Sequence, residues 1–190
     1  MKQAEERAII LRHDLRHHLH LINGYLMTDN IKKAKSYLSE IEKNIYEHVI
    51  TKYCTNEAVN LILSSYINMA RNEGITVQTQ VSISETCEIA DMDLCVILAN
   101  AIENAIHACI NIKDSTDRTI HISCLSKNQK LLIQISNNFT GVVTFKNDMP
   151  VTEEQNHGFG TTSIAATVQK YNGIYSFTAE EYVFKLNIIL

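Results

Sequence analysis

Residues 11–22 read LRHDLRHHLHLI, with four histidines (His13, His17, His18 and His20) inside eight positions. Imidazole is the side chain that titrates near neutrality, and it serves as nucleophile, base or metal ligand. Three uses compete: a metal site, a packing position, or covalent chemistry on one ring nitrogen. On a helix each residue advances about 100°, so with Leu11 at zero, Leu15, His18 and Ile22 fall within about 40° of it. That stripe is the buried face, which makes His18 a packing or bundle-core residue. His13 lies about 160° away, facing solvent, with Asp14 beside it. A neighbouring carboxylate favours one tautomer and raises the basicity of the ring, as a nucleophile requires. The metal alternative pairs His13 with His17 at i, i+4 and lacks a third ligand beyond His20 or Asp14. A solvated polar face is the plainest explanation of all. This segment alone does not choose among them.

A second group lies in LANAIENAIHAC, residues 98–109. Asn100 and Asn104 are four apart and share one helix face. Two amides on a mostly apolar helix need polar partners, since a buried unpaired amide costs about 1–3 kcal/mol. Hydrated Mg²⁺ carrying a nucleotide phosphate is one such partner, because amide oxygen is a hard ligand. Glu103 precedes Asn104 and could orient a water or a histidine. A pair of satisfied core amides is the alternative. A third group is HGFGTTSI, residues 157–164, where Gly158 and Gly160 open a helix. Glycines let backbone N–H groups approach an anion at the positive end of a helix. A plain tight turn would look the same.

The elements that must position these groups read as follows. Residues 1–53 are helix-forming, with apolar positions at alternating three- and four-residue spacing, broken by Thr28–Asn30, a capping and turn triplet. They predict two antiparallel helices whose heptad-like seam needs a partner, most simply a second copy in a four-helix bundle. From residue 54 the order is helix, strand, helix, strand, strand, polar loop, helix, strand, strand. That is an α+β sandwich, not a doubly wound sheet. The boundary falls at 53/54.

The chain has 190 residues and a net charge of −4, without a Lys/Arg block. Nucleic-acid or anionic-membrane binding is not suggested. There is no run of 18 apolar residues and no secretory leader at the start. The five scattered cysteines, with no CxxC pair, argue for a reducing, cytoplasmic setting and against a thiolate zinc site. The only proline, Pro150, lies in the polar stretch near 140–156.

Taken together, the three groups resemble the cytoplasmic part of a sensor histidine kinase with a GHKL-type ATPase domain. The resemblance is to the Agr-type, peptide-pheromone quorum-sensing kinases, and it covers nearly the whole chain. LRHDLRHHL resembles their phosphoacceptor box, which implies His13 as acceptor. DLCVILANAIENAIHA resembles the N box, which implies Asn104 as the Mg²⁺ ligand and Asn100 in the same pocket. LLIQISNNFTG resembles the first glycine-box strand, with Asn137 at the adenine-reading position where most such kinases carry Asp-x-Gly-x-Gly. HGFGTTSI and KYNG resemble the second glycine box, implying His157, Gly158 and Gly160 at the phosphates. The resemblance implies an ATP- and Mg²⁺-dependent protein-histidine kinase: a homodimer that phosphorylates His13, with Asp14 or Glu103 assisting, and passes the phosphoryl group to a response-regulator aspartate. Residues 140–156 would be a lid over phosphate. Membrane helices of a sensor would precede the hairpin, making this the cytoplasmic portion of a membrane sensor. Two alternatives are an ATP-independent phosphotransferase with a degenerate ATPase fold and a non-catalytic dimerisation scaffold.

Overall fold

The computed structural model describes residues 18–42, 52–83, 88–151 and 159–190, the side chains of 40–42 and 159 excepted. His13, Asp14, His157 and Gly158 lie outside the described residues. The chain forms two compact units, Met1–Glu47 and His48–Leu190, against a boundary at 53/54 read from the sequence.

In the first unit, helical residues 18–27 (α1) and Ile31–Glu42 (α2) flank the expected turn. The Thr28 hydroxyl donates to Gly24 O at 3.0 Å, Asp29 adopts φ 55°, and Asn30 Oδ1 accepts Lys33 N–H at 3.3 Å as the cap of α2. His18 is exposed in the single chain, and its Nδ1 lies 2.8 Å from the Tyr37 hydroxyl on α2, a polar contact across the hairpin. Ala34 is buried, while Leu38, on the expected seam, keeps 39% of its surface exposed.

The second unit is a sandwich. Its elements are α3 (Glu57–Asn72), β1 (Thr76–Ser82), α4 (Asp91–Ile110), β2 (Thr119–Lys127), β3 (Lys130–Asn138), β4 (Thr144–Lys146), β5 (Met149–Val151), α5 (Phe159–Lys170), β6 (Ile174–Glu180) and β7 (Val183–Ile189). The main sheet has the order β1-β2-β3-β7-β6; β1 and β2 are parallel and the other pairs antiparallel. This mixed sheet and its helices match the α+β expectation. Alternate residues of β2 and β3 (Ile120, Ile122, Ile133, Ile135) are buried, as a half-covered sheet requires. Leu94, Ile97, Leu98 and Ile102 of α4 complete the core. Among the described residues α4 alone is long and apolar enough to cross a membrane, but those apolar residues are spent in this core.

Two polar clusters fix the ends of α4. Its N-cap, Ala90, has no capping side chain. The Tyr171 hydroxyl, just past α5, accepts Ala90 N–H at 3.1 Å and donates to Asp93 Oδ2, which also takes Lys170 Nζ at 2.6 Å. At the far end Arg118 donates to Ile110 O and Ile112 O beyond the last turn of α4, and to Glu73 O at the end of α3. A guanidinium on helix-terminal carbonyls satisfies acceptors that the helix itself leaves open. The buried thiols are inert: burial pushes Cys109 up to about 11 and Cys124 up to about 12.

Two predictions follow from these contacts. A β-carbon on Gly173 would sit 2.6 Å from Ile189 O and 2.9 Å from Val168 Cγ1. Gly173→Ala is expected to lower the unfolding free energy by about 2 kcal/mol or more, read from urea titration. The Asp93 carboxyl is held below its ordinary value by the hydrogen bond from Lys170, then by that from Tyr171. A depressed folded-state value contributes stability above the unfolded value of about 3.9, and that contribution is lost as pH falls through the folded one. Asp93→Asn should lower the melting temperature at pH 7, with the gap to wild type closing below about pH 4.

Candidate active site

The packing of α4 against the sheet leaves a cavity of about 280 Å³. Helix α4 lines it with Ala101, Asn104, Ala105, His107 and Ala108, and β3 with Ile135 and Asn137. Phe139, the β4–β5 hairpin, and Thr161 and Ile164 of α5 complete much of the wall.

Two motifs far apart in sequence meet here. A β-carbon on Gly160, in the first turn of α5, would lie 3.1 Å from Asn100 Oδ1 and 3.2 Å from Asn104 Nδ2. The contact is tighter than ordinary van der Waals packing, so with a side chain at 160 the two amides would have to give by a few tenths of an ångström. Asn100 Nδ2 donates to Val96 O at 2.7 Å, one turn back on α4, while its oxygen is turned to Gly160. Asn104 is half-buried and reaches the cavity.

Asn137 marks the polar end. It is 3% exposed, and its Nδ2 donates to Asn138 O at 2.9 Å, which leaves the carboxamide oxygen as its acceptor toward the cavity. Its surroundings are pinned. The Thr119 hydroxyl bonds Asn138 Oδ1, and Cys109 Sγ reaches the Thr119 and Asn138 carbonyls at 3.5 Å each. An acceptor at this point suits an amine donor on a ligand.

Glu103 lies one residue before Asn104, just outside the cavity lining. Its carboxylate is exposed, does not line the cavity, and lies 4.0 Å from His107 Nε2 one turn on. It faces the α3 side, where burial, and then this carboxylate, raise the Tyr66 hydroxyl above its ordinary value. Sequence reading also missed His107 at the cavity wall and the alanine row 101, 105 and 108. The signal for the row was present as small residues at four- and three-residue spacing on the face that carries Asn104.

Among the described residues no group of three His, Cys, Asp or Glu side chains could hold a metal ion. The amide oxygens of Asn100 and Asn104 beside a glycine still suit a hard divalent ion that keeps most of its shell as water and phosphate oxygen.

Residues 89–190 match the family model described as the GHKL domain, and the chain belongs to that family. It is 25% identical over 179 residues to a probable C4-dicarboxylate sensor kinase of Halalkalibacterium halodurans, covering 86% of this chain and 33% of that protein. The chain therefore spans about a third of the length of this curated relative. In fold it is similar to the nucleotide-free catalytic domain of the histidine kinase ThkA, with TM-score 0.58, 16% identity, and coverage of 71% of this chain and 92% of that one. It is also similar to the mycobacterial sensor histidine kinase MprB, with TM-score 0.52, 14% identity and coverage of 76% and 97%. For the Acinetobacter baumannii histidine kinase AdeS the TM-score is 0.52 and the identity 12%, with coverage of 94% and 96%. A GHKL fold of the kind found in histidine kinase catalytic domains is thereby defined.

Asn104→Ala should remove Mg²⁺-dependent ATP binding measured by calorimetry while leaving the urea midpoint near that of wild type. Unchanged affinity would refute the assignment of Asn104.

Proposed function

We propose that this chain is the catalytic core of an ATP-dependent protein-histidine kinase of a two-component system. The observation that carries the reading is the meeting of Gly160 with Asn100 and Asn104 at the edge of a cavity that ends on Asn137. In this reading the base lies toward Asn137, and the polyphosphate lies toward the start of α5, near His157, Gly158 and Gly160. Asn104, with Asn100 behind it, would hold Mg²⁺, which supplies charge neutralisation at the phosphate oxygens when bound.

The chemistry assigned to His13 balances simply. An unprotonated ring nitrogen attacks the γ-phosphorus, a nitrogen–phosphorus bond forms, the bond to the β-bridging oxygen breaks, and ADP leaves. Asp14 would hold the proton on the other ring nitrogen and so set which one attacks. Arg12 or Arg16 would balance charge developing on the transferring group. The phosphoryl group then passes to an aspartate of a response regulator. A second copy of the chain is the natural partner for the hairpin, and the exposure of Leu38 supports this. The box LRHDLRHHL and Asn137 support placement in the Agr-type, peptide-sensing subfamily.

The test is incubation with γ-labelled ATP and Mg²⁺, wild type beside His13→Ala. Acid-labile, base-stable label on wild type alone is the expected result. Equal label on both would move the acceptor to another histidine. Absence of label on wild type, combined with uptake from a phosphorylated response regulator, would replace the kinase with an ATP-independent phosphotransferase.

A further inference from the structure

The buried residues of the main sheet face the helices, and the alternate residues of each strand point the other way. On that open face the register aligns four aliphatic side chains. Leu125 of β2 stands opposite Leu132 of β3, Leu132 opposite Ile189 of β7, and Ile189 opposite Ile174 of β6. With strands about 4.8 Å apart, the row is about 14 Å long. Leu132, Ile189 and Ile174 keep 40%, 38% and 68% of their surface exposed, while their strand neighbours Ile133 and Ile188 are buried. A single exposed leucine is ordinary, but a row in register across four strands is a patch.

The charges on this face are sorted. Two residues from the row, toward the Asn128–Gln129 turn, Lys127 stands opposite Lys130 on the same side of the sheet. Across the row lies a neutral ladder, in which Gln134 Nε2 donates to Asn187 Oδ1 at 2.7 Å and Asn187 Nδ2 donates to Ser176 Oγ at 3.3 Å. Lys185 follows one row further on, in register with Ser136 and, through it, His121. The five strands carry a single carboxylate, Glu180, at the far end of β6. A chain of net charge −4 thus presents a basic sheet face. The sequence shows no Lys/Arg block because Lys127, Lys130 and Lys185 come from three strands, which only the register gathers on one face.

We propose that this open sheet face rests on an anionic lipid surface, with Leu125, Leu132, Ile189 and Ile174 at the acyl boundary and Lys127 and Lys130 among the headgroups. The composition of the face favours lipid over a protein partner. Protein interfaces are enriched in aromatic residues and arginine and depleted in lysine. The outward positions of these strands hold no Trp, Tyr, Phe or Arg, and their cations are lysines. Aliphatic side chains beside lysines suit the boundary between acyl chains and anionic headgroups. The inference does not rest on the nucleotide reading, and the cavity beside α4 lies on the opposite face of the sheet, where Ile135 and Leu186 are buried.

The experiment is flotation of the 190-residue chain with vesicles of phosphatidylcholine alone or mixed in equal parts with phosphatidylglycerol. Wild type is compared with Lys130→Gln, Ile174→Ser and Lys113→Gln, each with its urea midpoint. Lys113 is exposed at the opposite end of β2 and serves as the charge control. Wild type should float with the mixed vesicles and not with phosphatidylcholine alone, and the bound fraction should fall as salt is raised. Lys130→Gln should weaken partitioning roughly fivefold, the worth of one lysine near an anionic surface. Ile174→Ser should weaken it roughly tenfold through lost apolar burial, and Lys113→Gln should match wild type. Should the serine at 174 lower the urea midpoint, Lys130→Gln against Lys113→Gln decides the matter. Equal partitioning by those two variants would overturn the proposal, as would unaltered partitioning by a stable Ile174→Ser. Absence of wild type from both kinds of vesicle would also overturn it, and slowed deuterium exchange of β6 and β7 on adding a response regulator would then give the face to a protein partner.

Discussion

The approach of α5 to α4 at Gly160 is the constraint on which the site depends. With no β-carbon, the first turn of α5 comes down on the amides of Asn100 and Asn104. Any side chain there would press on the two carboxamides at about 3 Å and push them aside. The same approach decides where the free N–H groups at the start of a helix point, and so where an anion can be held. Strands β2 and β3 and the β4–β5 hairpin lie between the two motifs, and their part here is to return the chain to one spot on α4.

That spot is stable because α4 is shared by every layer. One side carries the large aliphatic residues that fill the core, and another carries alanines with Asn104 and His107. Leucine or isoleucine at the alanine positions would fill the cavity and stabilise the domain; small residues there leave it open. A protein that keeps a void beside its central helix forgoes dispersion contacts it could have had. The clamps at the two ends of α4 offset part of that loss by fixing the helix along its axis.

Much of this was legible in the sequence because it rests on periodicity and on residues with few alternatives. The helices and the five strands of the main sheet follow from alternation and three-four spacing, and the amide–glycine pairing follows from motif chemistry. The β4–β5 hairpin was harder to see than the turn in SKNQ, residues 126–129. Asn128–Gln129, Asn147–Asp148 and Glu181–Tyr182 all have positive φ at both positions, the geometry of tight two-residue hairpins, yet none contains glycine. Without that marker the short strands around Asn147 read as polar loop. His18 finds its partner Tyr37 nineteen residues away, which a helical wheel, reporting a direction only, does not show. Successive residues on a helix point about 100° apart, so Glu103 stands beside Asn104 without lining the cavity. His13, Asp14, His157 and Gly158 lie outside the described residues, so their assignments rest on motif alone.

The two clamps on α4 differ in kind. Arg118 holds the backbone carbonyls of Glu73, Ile110 and Ile112, acceptors with no proton to gain or lose. The opposite end is held through the Asp93 carboxylate, kept below its ordinary value by Lys170 and then by Tyr171. The helix is therefore bolted at its C-terminus and latched at its N-terminus. Protonation of Asp93 therefore weakens the contacts at the N-terminus of α4 and leaves the Arg118–carbonyl contacts in place, so acid acts on one end of the helix and not on the other.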